Sequence, residues 1–242
     1  AIRTAPKEIT VYTREGEPAM KLGGGNTGGF NTYYGTGSDL RHNYDPMTGE
    51  LRVSLAQDVA NAARIVDALP DTDFVMSYGI PSDVPLEQVF RSEFYEMVTN
   101  SSKPIVFTSD NGDDCRAIIE MAAAVVGGPE RLREKPYAMV FSQPTPPLQH
   151  SRDALGKIFA AADAGIPFVC TPGVIPSASG PVTAAGTCVV SLAESLSFLV
   201  MHQLRHEGAP AVLGGGHGCL DLKTMAYIYA PPYRLLTEAA LI

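Results

Sequence analysis

From about residue 55 onward the chain alternates, five times over, a short apolar run with a longer stretch of helical period. The apolar runs fall at 74–76, 105–108, 137–141, 168–171 and 211–213, and the helical patterns at 55–69, 84–100, 113–126, 149–164 and 184–206. A short run with no polar alternation suits a strand buried on both faces. Each intervening helix is long enough to return the chain to the starting edge of a sheet. The pattern therefore predicts a parallel α/β protein. Local chemistry agrees at the helix ends: Asp113 opens one pattern, Gly127-Gly128 and Gly165 close two, and Gly208 closes the last.

Two architectures share this alternation, a doubly wound sheet and a (β/α)8 TIM barrel. The residues after each strand favour the barrel. They read Ser77-Tyr78-Gly79, Ser109-Asp110-Asn111, Ser142-Gln143-Pro144, Thr171-Pro172-Gly173 and Gly214-Gly215-Gly216-His217, all small or polar. A doubly wound sheet concentrates its site at one switch point, whereas a barrel builds it from every βα loop. Five units do not close eight strands, and the sequence stops within the helical pattern of Glu238-Ala-Ala-Leu-Ile242. The expectation is an incomplete barrel over 55–242. Residues 1–54 are expected as a Gly/Tyr-rich β insertion or capping loop within the same single domain.

That N-terminal segment holds a literal G-x-G-x-x-G at Gly23, Gly25 and Gly28. A dinucleotide site would need a helix opening at the last glycine to present free N–H groups to a pyrophosphate. None is predicted, because Gly35 and Gly37 would break it. The aromatic residues that follow, Phe30, Tyr33 and Tyr34, are the better candidates: ring faces attract desolvated cations, quaternary ammonium above all. The alternative is that they pin the loop to the body of the domain.

Charge narrows the partners. A net charge of −8 with no basic cluster argues against nucleic acid or an anionic membrane. No apolar run long enough to span a bilayer and no leader pattern is read. Cys115, Cys170, Cys188 and Cys219 form no C-x-x-C, and a reducing cytoplasm is expected.

A second candidate cluster follows the last strand. If extended, His217, Cys219, Asp221 and Lys223 share one face. Lys223 then reads as an electrostatic clamp for a carboxylate, or as the Schiff-base nucleophile of a lyase. No third thiolate or imidazole completes a zinc site, so no metal is expected. His202 and His206, one turn apart, lack the glutamate of H-E-x-x-H and read as structural.

Several stretches together resemble the trimethylamine methyltransferase family, which includes glycine betaine methyltransferases: LGGGNTGGFNTYYGTG, TGELRVSLAQDVANAARIVDAL, NSSKPIVFTS, SQPTPPLQHSRDAL, AGIPFVCTPGVIPSASGPVTAAGT, LRHEGAPAVLGG and LDLKTMAYIYAPPYRLL. The resemblance implies a TIM barrel that moves a methyl group from a methylated amine to the Co(I) corrinoid of a separate corrinoid-binding protein. It implies no directly bound cofactor. On that basis Phe30, Tyr33, Tyr34, His217, Asp221 and Lys223 are the expected substrate-binding residues, with no catalytic residue assigned and a homo-oligomer expected. The family's D-M-R-T-G stretch falls on Asp221-Leu222-Lys223-Thr224-Met225, where lysine replaces arginine. A lysine offers a point charge instead of a bidentate fork. A non-catalytic amine-binding relative is the remaining alternative.

Overall fold

The structure is a computed structural model that describes residues 1–24, 31–215, 218–228, 232, 234 and 235. Its centre is a four-stranded parallel sheet of β5 (Ile105–Phe107), β6 (Ala138–Phe141), β7 (Phe168–Cys170) and β8 (Ala211–Leu213), in that spatial order. Each strand follows its neighbour in sequence, so every connection is a crossover through helix. The protein is thus mixed α/β with a parallel sheet, as the alternation predicted.

The helices are α1 (Ala56–Ala68), α2 (Val89–Asn100), α3 (Gly112–Val126), α4 (Pro129–Glu134), α5 (Arg152–Ala164) and α6 (Ala184–Arg205). Gly127 and Gly165 end α3 and α5 in the left-handed conformation, at φ 87° and 73°, where a side chain would be strained. The cap of α3 is Asn111, which accepts from the N–H groups of Asp113 and Asp114; Asp113 itself lies inside the helix. The short α4 was hidden behind the glycine pair. Its first residue is Pro129, which needs no N–H partner at that position.

Residues 74–76 form no strand of their own. Val75 bridges Ile105, and Phe74 bridges Gly35 on the other side, both in parallel, while Leu40 bridges Gly79. Residues 35–40 therefore run alongside 74–79 and extend the parallel arrangement beyond β5. The first 54 residues, expected as one insertion, divide into three pieces: the hairpin β1 (Glu8–Tyr12) with β2 (Pro18–Gly23), this bridged segment, and the hairpin β3 (His42–Tyr44) with β4 (Leu51–Val53). Arg52 ties the last piece down by bonding Asp58 at the start of α1 and Asp45 in the hairpin turn. Its guanidinium holds the Asp58 carboxyl down at about 2.

Alternate residues of the sheet face opposite sides. Ile105, Phe107, Ala138, Val140, Phe168 and Cys170 face the helices and fill the main core with Phe94, Ile118 and Phe198. Val106, Met139, Phe141, Val169 and Val212 face the other way, onto Ile9, Val11 and Met20 of the N-terminal hairpin. That hairpin sits at the amino ends of the strands: the Tyr12 N–H donates to Pro136 O at 2.9 Å and the Arg14 N–H to Ser102 O at 2.8 Å.

Helix α6 overturns one sequence expectation, being 22 residues long and apolar enough to cross a membrane by length and composition. Its buried face mixes polar side chains with Phe198 and Leu199. Thr187, Ser191, Glu194, Ser195, His202 and Gln203 are buried, while Val189, Leu192, Val200 and Leu204 are exposed.

Candidate functional site at the carboxyl ends of the strands

In parallel α/β folds ligands bind beyond the carboxyl ends of the strands, where loops diverge. Here those loops enclose a cavity of about 420 Å³. Its polar wall is Asp39, Thr108, Ser109, Asp110, Ser142 and Lys157, and its apolar wall includes Phe90 and Phe141. Below it on the same face lies a second, apolar hollow of about 410 Å³, lined by Met20, Tyr33, Phe74, Val106, Met139 and Val212. Val106 and Thr108 are successive inward positions of one strand and its end, as are Met139 and Phe141. Inward positions are about 6–7 Å apart along a strand. The hollow and the polar cavity are therefore stacked along the inner face.

Local structure positions each polar group. Lys157 on α5 donates from Nζ to Ser109 O at 2.7 Å, and burial pushes its ammonium down from the ordinary lysine range. Asp39 sits at φ 63°, a left-handed conformation that aspartate tolerates better than most side chains. Its Oδ1 accepts from the Thr108 hydroxyl at 3.3 Å. Behind Thr108 lies Glu93 of α2, only 1% exposed. Its Oε2 is 3.4 Å from Thr108 Oγ1, and its Oε1 has no hydrogen-bond partner. Burial first, then the neighbouring Asp39 charge, raises the Glu93 carboxyl to about 8. It is neutral across most of the range in which carboxylates are charged.

The loop after β6 is held by α6. Glu194 Oε1 accepts from Leu148 N at 2.7 Å, and His150 Nε2 meets Ser197 Oγ at 2.7 Å with its ring 4.4 Å from that of Phe198. Burial raises the Glu194 carboxyl, and its Oε2 is left without a partner. The buried polar side chains of α6 thus have a local use: the Glu194 carboxyl anchors a βα loop.

Phe30 and His217 lie outside the described residues. Tyr33 and Tyr34 sit where residues 35–40 begin, at the amino ends of the strands. The Tyr33 hydroxyl accepts from Lys21 N at 2.8 Å and donates to Lys21 O at 3.3 Å, and its ring lines the apolar hollow. Tyr34 is 65% exposed, with its backbone bonded to Asp73. Tyr33→Phe is accordingly expected to lower stability by about 1 kcal/mol, because the Lys21 amide loses its acceptor; a denaturant midpoint equal to that of the wild type would show that the hydroxyl does not anchor the loop.

The extended run expected from 217 to 223 stops at Leu220. Cys219–Leu220 (β9) pairs with Tyr227–Ile228 (β10), and residues 221–225 turn between them. Asp221 closes that turn, accepting from Lys223 N at 2.9 Å through Oδ1 and from Met225 N at 2.7 Å through its carbonyl. These local bonds break the alternation that would have aligned Asp221 with Lys223. Among the described residues no three His, Cys, Asp or Glu side chains gather as metal ligands.

Fold and site together define a parallel α/β protein with a cavity at the strand ends whose charged lining is Asp39, Asp110, Asp153 and Lys157. The sequence profile of trimethylamine methyltransferase (MTTB) matches residues 1–239, and the chain belongs to that family. A trimethylamine methyltransferase MttB of Desulfitobacterium hafniense is 32% identical over 93% of this chain and 44% of its own length. A glycine betaine methyltransferase of the same species is 26% identical over 92% of this chain and 46% of its own. A trimethylamine methyltransferase MttB of Methanosarcina thermophila is 29% identical over 77% and 39%. The chain thus spans less than half the length of these relatives. Among solved structures, a type I 3-dehydroquinate dehydratase of Clostridium difficile covers 66% of this chain and 79% of its own at 10% identity and a TM-score of 0.32, too slight a likeness to bear on the fold.

Proposed function

We propose that this chain is the substrate-binding part of a methyltransferase that presents a methylated amine to the Co(I) corrinoid of a partner protein, and that its sheet is an arc of a (β/α)8 barrel. One observation carries the reading beyond family membership: an acidic rim stacked over an apolar hollow on a single face. A methylated ammonium is a charge wrapped in methyl groups and needs both surfaces.

The corrinoid supplies the nucleophile, so the chain is not asked for a strong base. Its residues bind, orient and desolvate. Asp39 and Asp110 at the cavity wall attract the cation, and Phe90 and Phe141 exclude water beside it. Holding the C–N bond in line with an approaching nucleophile can account for much of the rate, because positioning replaces a costly encounter. A tertiary amine and a quaternary betaine both suit such a site; a betaine would add its carboxylate near Lys157, the cavity's own cation.

The test is direct. The protein, a reduced corrinoid partner and a panel of methylated amines are mixed, and the visible spectrum is followed for loss of Co(I) and formation of the methylated corrinoid. Conversion with one amine is the expected result. No conversion with any amine, using a partner shown to be methylated by another enzyme, would overturn the reading.

A further inference from the structure

We propose that Asp39 and Glu93, joined through the Thr108 hydroxyl, form the seat for the ammonium group of a cationic substrate, and that a bound cation displaces a proton held by Glu93. The inference deepens the function proposed above and rests on it for the identity of the cation.

The hydrogen-bond directions make the case. Thr108 Oγ1 lies 3.3 Å from Asp39 Oδ1 and 3.4 Å from Glu93 Oε2. A hydroxyl has one hydrogen and cannot serve two carboxylates at once. With a proton on Glu93 the conflict disappears: Glu93 donates to Thr108, and Thr108 donates to Asp39. Every group in the chain then has a consistent role. Glu93 Oε1 forms no hydrogen bond of good geometry, although the Ser77 hydroxyl stands beside the carboxyl. A buried carboxyl oxygen is rarely left so.

The surroundings set the sign. Asp39 and Asp114 both bear on Glu93 with like charge. Arg91 on the same helix is taken up by Asp114 at 2.8 Å, and Lys157 is bonded to the Ser109 carbonyl, with its ammonium within the field of Asp39. Among the described residues no cation forms an ion pair with Asp39 or Glu93 themselves, and Glu93 keeps its proton, titrating near 8. A permanent cation beside Asp39 replaces repulsion with attraction. Glu93 then ionises, its proton passes to solvent, and the seat gains a second negative charge. One cation enters, one proton leaves, and no bond of the ligand changes.

The experiment is calorimetric titration of the protein with tetramethylammonium chloride at pH 7, in two buffers of different ionisation enthalpy. Close to one proton released per bound cation is expected. Affinity should rise up to about tenfold per pH unit below the Glu93 titration and level off above it. Glu93→Gln should bind more weakly, with no proton release and no pH dependence; Asp39→Asn should lose about tenfold or more in affinity. Thermal melts establish that each variant is folded. Binding without proton release, release that survives in Glu93→Gln, or no binding by the folded wild type would each overturn the seat. The corrinoid assay reads the other question. Methyl transfer without proton-linked binding removes the seat alone, and proton-linked binding without transfer removes the methyltransferase reading alone.

Discussion

Replacing Gly112 with alanine is expected to destabilise the protein by about 2 kcal/mol, lowering its melting temperature by roughly 4–8 °C. Alanine ordinarily improves a helix by about 1 kcal/mol over glycine, so the expected sign is opposite to the propensity. The reason is the crossing of α3 and α5, where two glycine backbones touch. A Cβ on Gly112 would lie 2.8 Å from Gly156 Cα and 2.9 Å from its carbonyl carbon; one on Gly156 would lie 3.0 Å from Gly112 Cα. Neither side has a flexible atom to move, so the helices must part. Lys157 follows Gly156 directly and Ser109-Asp110-Asn111 precedes Gly112, so parting them also opens the cavity wall. Gly37→Ala, where an added Cβ meets nothing within 4 Å, is the control and should melt with the wild type. Equal midpoints for Gly112→Ala and Gly37→Ala would show that the helices pack less closely than described.

The second large effect concerns stability against pH. The Glu93 carboxyl stands at about 8 in the folded protein against an ordinary 4.5. A folded-state value raised in this way gives stability that is whole below about pH 4.5 and is lost as pH rises toward 8, because the unfolded chain releases the proton first. Glutamine stays neutral throughout. Glu93→Gln should therefore match the wild type near pH 4.5 and exceed it increasingly up to pH 8, by about 2–4 kcal/mol at the upper end. Urea midpoints measured at each pH check this. Parallel curves for the two proteins would mean that Glu93 is ionised in the native state.

Much of the architecture is legible in the residues themselves. The runs at 105–108, 137–141, 168–171 and 211–213 became β5 to β8, because an unbroken apolar run has few other places to go. Gly127 and Gly165 marked helix ends because few other residues accept a left-handed φ at no cost. The run at 74–76 was harder. It holds its place through single bridges on either side, a tertiary pairing that no local pattern encodes.

The candidate site was less legible, and the helices explain why. Glu93 falls in the stripe Val89, Glu93, Met97, one turn apart and all buried. The spacing was a usable signal, but a charged residue in an apolar stripe is ordinarily read as the edge of a solvated face. Asp39 lies in a glycine- and tyrosine-rich segment, and its place at the cavity depends on parallel bridges to residues 74–79, which no local pattern encodes. From Asp221 to Lys223 the chain is turned and not extended. Alternating chemistry suggested a strand, but Asp221 satisfies its neighbours' amides locally and closes a turn.

The hairpin beneath the sheet has a consequence for how the chain comes into being. Its strands emerge from the ribosome well before the segment around Pro136 whose carbonyl receives the Tyr12 amide. At ordinary rates of synthesis that gap lasts on the order of ten seconds. Throughout it Ile9, Val11 and Met20 have no partner surface, and a lone hairpin is marginal in water. The hairpin is made before its sheet yet settles after it, which leaves a window in which a nascent-chain chaperone would find an apolar hairpin waiting for its sheet.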